Sequence, residues 1–346
     1  MNQTIIKLKD GRVLELEELT FPINSIHQTT LIQLWRTEWK RRGGGDYDWL
    51  KAMNGDYSQD LITKVVLGRI DGQAVGTAAV AYPVKENEVS VIGSVLTHPE
   101  YRRLGIAEYL TNTATDLSFQ AGCQVSFLGA TRDPRNVYLR CGFQWWNGGV
   151  MRKTAQGQEN CEKQFFASSQ STSIREANWG DLPSFACFVI QPWNLLALDY
   201  LRGLLSGKYI KLQRCVSNFP AIYDEVAERG GDMCMLIGET NHRVLGFGSI
   251  TPGPATEYRH KAVLDVATHD YYSDQAGLLI EWLLLKAVEK EVSCVQVYLA
   301  ESDDKKFQWF NRLGFQIISK FPSHIKLQGK MVDVLLMERQ AKLKND

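Results

Sequence analysis

The stretch Val91 to Leu110, VIGSVLTHPEYRRLGIAEYL, leaves a chain few ways to fold. Val91 to Thr97 is a β-branched run without charge, which reads as a buried strand, and Pro99 ends it. From Tyr101 the chain turns through Arg102-Arg103-Leu104-Gly105-Ile106-Ala107 into a pattern with apolar Ile106, Leu110, Ala114 and Leu117. That spacing predicts a helix over 103–121. A helix entered at a glycine leaves its first N–H groups unpaired, at the positive end of the macrodipole. A phosphate suits that place. Gly105 and Ala107 keep the approach free of bulk, and Arg102 and Arg103 supply charge.

Arg102-x-x-Gly105-x-Ala107 on a strand–turn–helix resembles the acyl-CoA pyrophosphate loop of the GNAT N-acetyltransferases. The flanks make the resemblance specific. The lead-in Thr97-His98-Pro99-Glu100-Tyr101 and the later Tyr138-Leu139-Arg140-Cys141-Gly142-Phe143 match the family in order and distance. Neither a GxxxxGK[ST] loop nor a GxGxxG after a strand is present.

A length of 346 residues suits two domains, and 44% hydrophobic with 23% charged residues describes an ordinary soluble globular protein. Thirty-nine basic residues balance thirty-nine acidic ones, which gives no electrostatic footprint for nucleic acid or an anionic membrane. Seven scattered cysteines without CxxC spacing read as buried free thiols in a reducing compartment, and no metal is expected. The polar start MNQTIIKLKD is no signal peptide, and no apolar run reaches the roughly 18 residues a membrane span needs. The expectation is a cytoplasmic protein, monomeric or homodimeric.

Asp10-Gly11 between short apolar alternations marks a hairpin, and Asn24 or Ser25 caps a helix to about Trp39. Strands are predicted at Lys64 to Arg69, Ala74 to Tyr82, Glu88 to Thr97, Val125 to Gly129 and Phe143 to Met151, with a short helix from Pro134 to Cys141. The polar segment 153–172 reads as a linker. Beyond it a faint second copy begins, with Cys234 to Gly246 echoing Val65 to Gly76 and Phe310 to Phe315 echoing Tyr138 to Phe143. The fold class is therefore α/β of mixed α+β type, in two tandem GNAT-like domains, 1–152 and 173–346, each a twisted mixed sheet flanked by helices.

Aligning Glu108-Tyr109-Leu110 with Glu281-Trp282-Leu283 puts Gln275, Leu278 and Ile280 where Arg102, Gly105 and Ala107 stand, and Phe310 where Tyr138 stands. The second copy has lost both the small loop residues and the hydroxyl. The first domain is the expected catalytic one.

The resemblance implies acetyl-CoA as co-substrate and assigns roles. The backbone of Val95, Leu96 and Thr97 would bind the pantetheine arm, and the amides of Arg103, Leu104, Gly105, Ile106, Ala107 and Glu108, with Arg102, the pyrophosphate. Tyr138 would serve the departing sulfur, and Glu86 or Glu88 the amine's proton; His98 is read as structural. Trp35, Trp39, Asp46, Tyr47, Asp48 and Trp145 would wall the acceptor. The Trp35/Trp39 pair also fits the core stripe of an amphipathic helix. The implied activity is transfer of an acetyl group to the primary amine of a small molecule. The rivals are a non-catalytic acyl-CoA-binding or scaffolding protein and a protein or peptide N-acetyltransferase.

Overall fold

A computed structural model describes residues 4–37, 49–86, 88–130, 135–147, 149–167, 171–191, 197–199, 203–205, 223–239, 243–253, 255–327 and 329–341. The chain divides into two compact units, the first built on Met1–Cys161 with Asn178–Ile190, the second on Glu162–Ala177, Gln191–Ile210 and Ala221–Asp346.

In the first unit, β1 (Thr4–Lys7) and β2 (Val13–Thr20) form the hairpin that Asp10-Gly11 announces, with Gly11 at φ 91°. Asn24 caps α1 (Ser25–Arg36) by accepting from the His27 backbone N–H; α1 ends short of Trp39, which lies outside the described residues. After α2 (Trp49–Asn54) come β3 (Leu61–Ile70), β4 (Gln73–Pro83), β5 (Val89–Thr97), α3 (Ile106–Gln120), β6 (Val125–Gly129) and α4 (Arg135–Arg140). The expected strand 143–151 is instead a pair, β7 (Gln144–Asn147) and β8 (Val150–Thr154), antiparallel to each other. A strand paired with its own continuation must reverse, and the reversal falls between Asn147 and Val150.

The eight strands run in the order β1-β2-β3-β4-β5-β6-β8-β7, antiparallel except for parallel β5 and β6. One face carries Val66, Ala78, Val80, Ile92 and Leu128, packed under Ile106, Leu110 and Ala114 of α3. Strand alternation turns Val65, Leu67 and Ala79 to the other face. That face is covered by α1 and by α6 (Leu182–Val189), which pack on β4 and on β4 and β5.

All eight residues of α6 are buried, so it is a core helix with no solvent stripe. It follows α5 (Cys161–Phe165) and β9 (Thr172–Glu176) in the chain, yet belongs to the first unit. Its approach is pinned by the Trp179 ring stacked on Tyr57, centroids 3.8 Å apart. Gly180 lies so close to the Asp60 carbonyl that a Cβ would sit 2.8 Å from its oxygen. At the other end the Asn147 side-chain amide donates to the Ile190 carbonyl at 3.0 Å.

The second unit contains β10 (Ala197–Asp199), β11 (Gly203–Leu205), α7 (residues 223–228), β12 (Asp232–Gly238), β13 (Val244–Pro252), β14 (Lys261–Thr268), α8 (Ala276–Glu289), β15 (Cys294–Ala300), α9 (Asp304–Arg312), β16 (Gln316–Leu327) and β17 (Lys330–Gln340). Its main sheet, β16-β17-β15-β14-β13-β12-β9, again has a single parallel pair, β14 with β15. Two mixed sheets flanked by helices are thus built on one plan. The hairpin bulges coincide as well. In one copy the register slips after Gly68↔Gly76, and in the other after Leu236↔Gly246.

The six described cysteines are free and buried. Among the described residues no helix is long and apolar enough to cross a membrane.

Candidate active site

β5 and β6 pair from Val89↔Val125 only as far as Ile92↔Leu128, where β6 has nearly ended. β5 runs on to Thr97 without a strand on that edge among the described residues. Val95, Leu96 and Thr97 occupy this extension, with Leu96 buried and the other two half-buried. Against β4 the register slips between Thr77↔Leu96 and Ala79↔Gly93, so β5 carries an extra residue there. This is a β-bulge centred on Ser94, whose φ is 48°.

The bulge is braced from α1. The Trp35 indole N–H donates to Thr77 Oγ1 at 3.0 Å, and the Thr77 hydroxyl donates to the Ser94 carbonyl at 2.8 Å. Trp35 is buried and its ring lies 4.8 Å from that of Trp49. It therefore serves as a strut for the bulge. Trp35→Phe removes the indole donor and part of the ring, and should lower stability by about 1–2 kcal/mol in urea titration. Neither Thr77 nor Ser94 was among the sequence candidates. The available signal was Gly93-Ser94 inside a β-branched run, since a small residue within a strand often marks a bulge.

Beyond β5 a 3-10 turn, Pro99–Tyr101, leads into the loop. Arg103 at φ 68° and Gly105 at φ 84° both adopt the left-handed conformation. Those two residues shorten the expected helix: α3 begins at Ile106 with Gly105 as N-cap and no side-chain cap. The backbone N–H groups of Arg103, Leu104, Gly105, Ile106 and Ala107 make no hydrogen bond among the described residues. The Glu108 N–H turns back to the Gly105 carbonyl at 3.0 Å. Leu104 and Ile106 offer the loop only their backbone, because their side chains pack into the core under α3. Arg102 Nε donates to the Thr97 carbonyl at 3.3 Å, tying the loop to the end of β5.

Tyr138 on α4 is 6% exposed and joins the cluster that contains Ile92, Leu128 and Ile106, where β5 and β6 part. Its hydroxyl makes no hydrogen bond among the described residues. Burial, with a smaller contribution from Cys141, pushes the phenol up to about 12. Phe143 meets its ring edge-on at 6.4 Å.

Glu86 and Glu88 stand at the opposite end of β5, Glu86 exposed and Glu88 accepting from the Gln124 side-chain amide at 3.3 Å. A strand rises about 3.3 Å per residue, which puts Glu88 roughly 20 Å from Val95. The structure does not bring either glutamate to the loop. Trp145 is 42% exposed on edge strand β7. Asp46, Tyr47 and Asp48 lie, with Trp39, outside the described residues.

In the second unit, register places Thr268 opposite Gly246 as Thr97 is opposite Gly76, and His269 donates to the Leu245 carbonyl as His98 does to Val75. The helices then begin at Ala276 and Ile106. Gln275, not Leu278, is therefore the counterpart of Gly105, and Gly277 that of Ala107. The alignment on Glu281 slides because the connection from Asp270 to Gln275 is one residue shorter than that from Pro99 to Gly105. It is a 3-10 helix with Gln275 at φ −84°, and it has no left-handed residue. β13 and β14 pair without a bulge, and Phe310 replaces Tyr138.

Residues 22–143 match the family model described as Acetyltransferase (GNAT) family. Among solved structures, the chain is similar to an acetyltransferase of the GNAT family from Streptococcus pneumoniae, at 18% identity over 50% of this chain and 100% of that one, TM-score 0.41. It is also similar to a putative acetyltransferase from Salmonella typhimurium solved with its cofactor acetyl-CoA, at 18% identity over 49% and 94%, TM-score 0.40. A phosphinothricin acetyltransferase from Sinorhizobium meliloti in complex with acetyl-CoA matches at 13% identity over 51% and 92%, TM-score 0.42. No curated protein sequence matches. The stretch that matches the acetyltransferase (GNAT) family model, residues 22–143, is the one that holds the bulged strand, the left-handed loop and Tyr138.

Proposed function

We propose that the chain is an acetyl-CoA-dependent N-acetyltransferase that works through its first unit on the primary amine of a small molecule. The observation that carries this is the run of unpaired backbone N–H groups from Arg103 to Ala107 on a turn with two left-handed residues. Such a nest, backed by the α3 dipole, suits a pyrophosphate. The second unit's connection offers no such run of left-handed backbone.

Acetyl-CoA supplies an acyl carbon activated as a thioester. The unpaired edge of β5 at Val95 to Thr97 gives the pantetheine amides a strand to pair with. The bulge at Ser94 turns backbone groups out of the ladder toward the same place. Tyr138 offers its hydroxyl to the sulfur. With the phenol at about 12 and a thiol at roughly 8–9, complete proton transfer is uphill, so Tyr138 acts by donating a hydrogen bond. A small acceptor fits the cover that α1 and α6 lay over β4 and β5, since an extended peptide needs an open groove.

The test is calorimetric titration of acetyl-CoA followed by thiol-release assays against a panel of amines. Tyr138→Phe should leave acetyl-CoA affinity within about twofold and lower kcat about 10- to 100-fold. Equal turnover by the two proteins would remove Tyr138 from the reaction. The raised phenol also has a sign in stability. The folded chain holds the proton more tightly, so the part of stability linked to Tyr138 is constant below about pH 10 and falls as pH rises toward about 12. Tyr138→Phe should lack that part of the alkaline decline in urea titrations at pH 9 and 11.5.

A further inference from the structure

The chain of hydrogen bonds from α1 to the bulge in β5 has a direction as well as a strength. The Trp35 indole N–H donates to Thr77 Oγ1, and the Thr77 hydroxyl donates onward to the Ser94 carbonyl. Thr77 is fully buried and Trp35 is 6% exposed, so water does not compete for either bond. Ser94 holds φ 48°, which a residue other than glycine keeps only where its surroundings over-determine it. Thr77 supplies that constraint.

The peptide joining Ser94 to Val95 is planar, with its C=O and the Val95 N–H on opposite edges. Thr77 lies on β4 and holds the C=O, so the Val95 N–H is aimed away from β4. On that side the pairing of β5 with β6 stops at Ile92↔Leu128, and Val95 packs against the cluster that contains Tyr138. Each donor also polarises the next group along, which strengthens the last N–H in the line.

The second unit carries the same strands without the hydroxyl. Register places Phe247 opposite Ala267 as Thr77 stands opposite Leu96. There β13 and β14 pair without a bulge, and β14 has no left-handed residue.

We propose that Thr77, itself oriented by Trp35, is a positioning residue for acetyl transfer: through the Ser94 carbonyl it aims the Val95 N–H at the thioester oxygen. The amine's lone pair forms the new C–N bond, the C=O π pair moves onto that oxygen, and it returns as the C–S bond breaks. The proton the amine sheds balances the one the thiolate takes. Between those two events the oxygen carries charge, and a fixed donor stabilises it most. This rests on the reading of the first unit as an acetyltransferase.

The test is infrared spectroscopy of acetyl-CoA isotopically labelled at the thioester carbonyl and bound to the full-length protein, with calorimetry for affinity. No acceptor amine is needed. On wild type the carbonyl band should move to lower frequency than in free acetyl-CoA. Thr77→Val should lose most of that shift while acetyl-CoA affinity stays within about threefold, and Thr77→Ser, which keeps the hydroxyl, should regain it. On any amine that wild type acetylates, Thr77→Val should lower kcat roughly 10- to 100-fold with KM little changed, less than deleting a donor outright would. A purely structural Thr77 would change the melting temperature and leave the band in place. Trp35→Phe removes only the first link, so its band should be intermediate; it carries the test if Thr77→Val does not fold. An unshifted band on wild type, or a shift that survives Thr77→Val, would overturn the proposal. Wild type that binds no acetyl-CoA would sink the functional reading itself, and the proposal with it.

Discussion

Gly105→Leu should abolish detectable acetyl-CoA binding, a loss of at least about 100-fold, while the protein remains folded. The residue's φ of 84° is open to glycine and costs a leucine about 1–2 kcal/mol. A Cβ at this position would meet only Tyr109 Cε2 at 3.7 Å, an ordinary contact, so the interior does not resist the substitution. The cost in stability is therefore bounded by the backbone alone. Binding suffers twice. The turn is driven out of the left-handed conformation that aligns the N–H groups of 103–107, and a branched side chain enters the space a pyrophosphate would fill. Calorimetry with acetyl-CoA reads the loss of binding, and urea unfolding the small cost in stability. Retained binding would put the acyl-CoA site elsewhere in the chain.

Lys306→Met should destabilise the second unit by about 3–5 kcal/mol. Lys306 on α9 and Asp265 on β14 form an ion pair, Nζ to Oδ1 at 2.5 Å, with side chains 6% and 3% exposed. The same carboxylate oxygen accepts from the Val266 N–H at 2.8 Å. Removing the ammonium leaves a carboxylate in a low-dielectric interior, which costs far more than the pair contributes. Replacing both partners, Asp265→Leu with Lys306→Met, should recover most of the loss. A two-unit chain is not expected to unfold in one step, so the reading belongs to the transition that these variants shift. A Lys306→Met protein with unchanged transitions would contradict the burial of the pair. By register, Asp265 opposite Ser249 stands at the strand position of Gly93 opposite Ala79, next to Ser94. The second unit thus has a locked charge pair where the first has its bulge.

The strand and helix around Arg102 to Ala107 could be read in advance because their periods differ and Pro99 and Gly105 punctuate the change. The tandem plan was readable for a similar reason, since Gly76 and Gly246 mark one hairpin bulge twice. The Ser94 bulge was not, because a single extra residue leaves the hydrophobic run intact and shows only in the pairing with β4. Register also decided between Gln275 and Leu278, where matching side chains on α8 misled by three positions. The conformation of the loop was legible where it belongs to the backbone, as at 103–107. It was less so where a role depends on what lies across the sheet. Trp35, which fitted both a pocket wall and a core stripe, is buried and bonded to Thr77, while Glu86 and Glu88 are near the loop in sequence and a strand's length from it in space.

The helix α6 imposes an order in time. The face of the first sheet that it covers is completed by residues made some hundred positions after β4, so those contacts close a very long loop. A nascent chain that has reached only residue 172 has every strand of that sheet and still lacks part of its cover. Its apolar surface stays open to other chains until translation has passed Ile190. The polar seam between the two similar sheets is therefore not where the first unit ends: a gene cut there would yield a first half that is sticky before it is inactive.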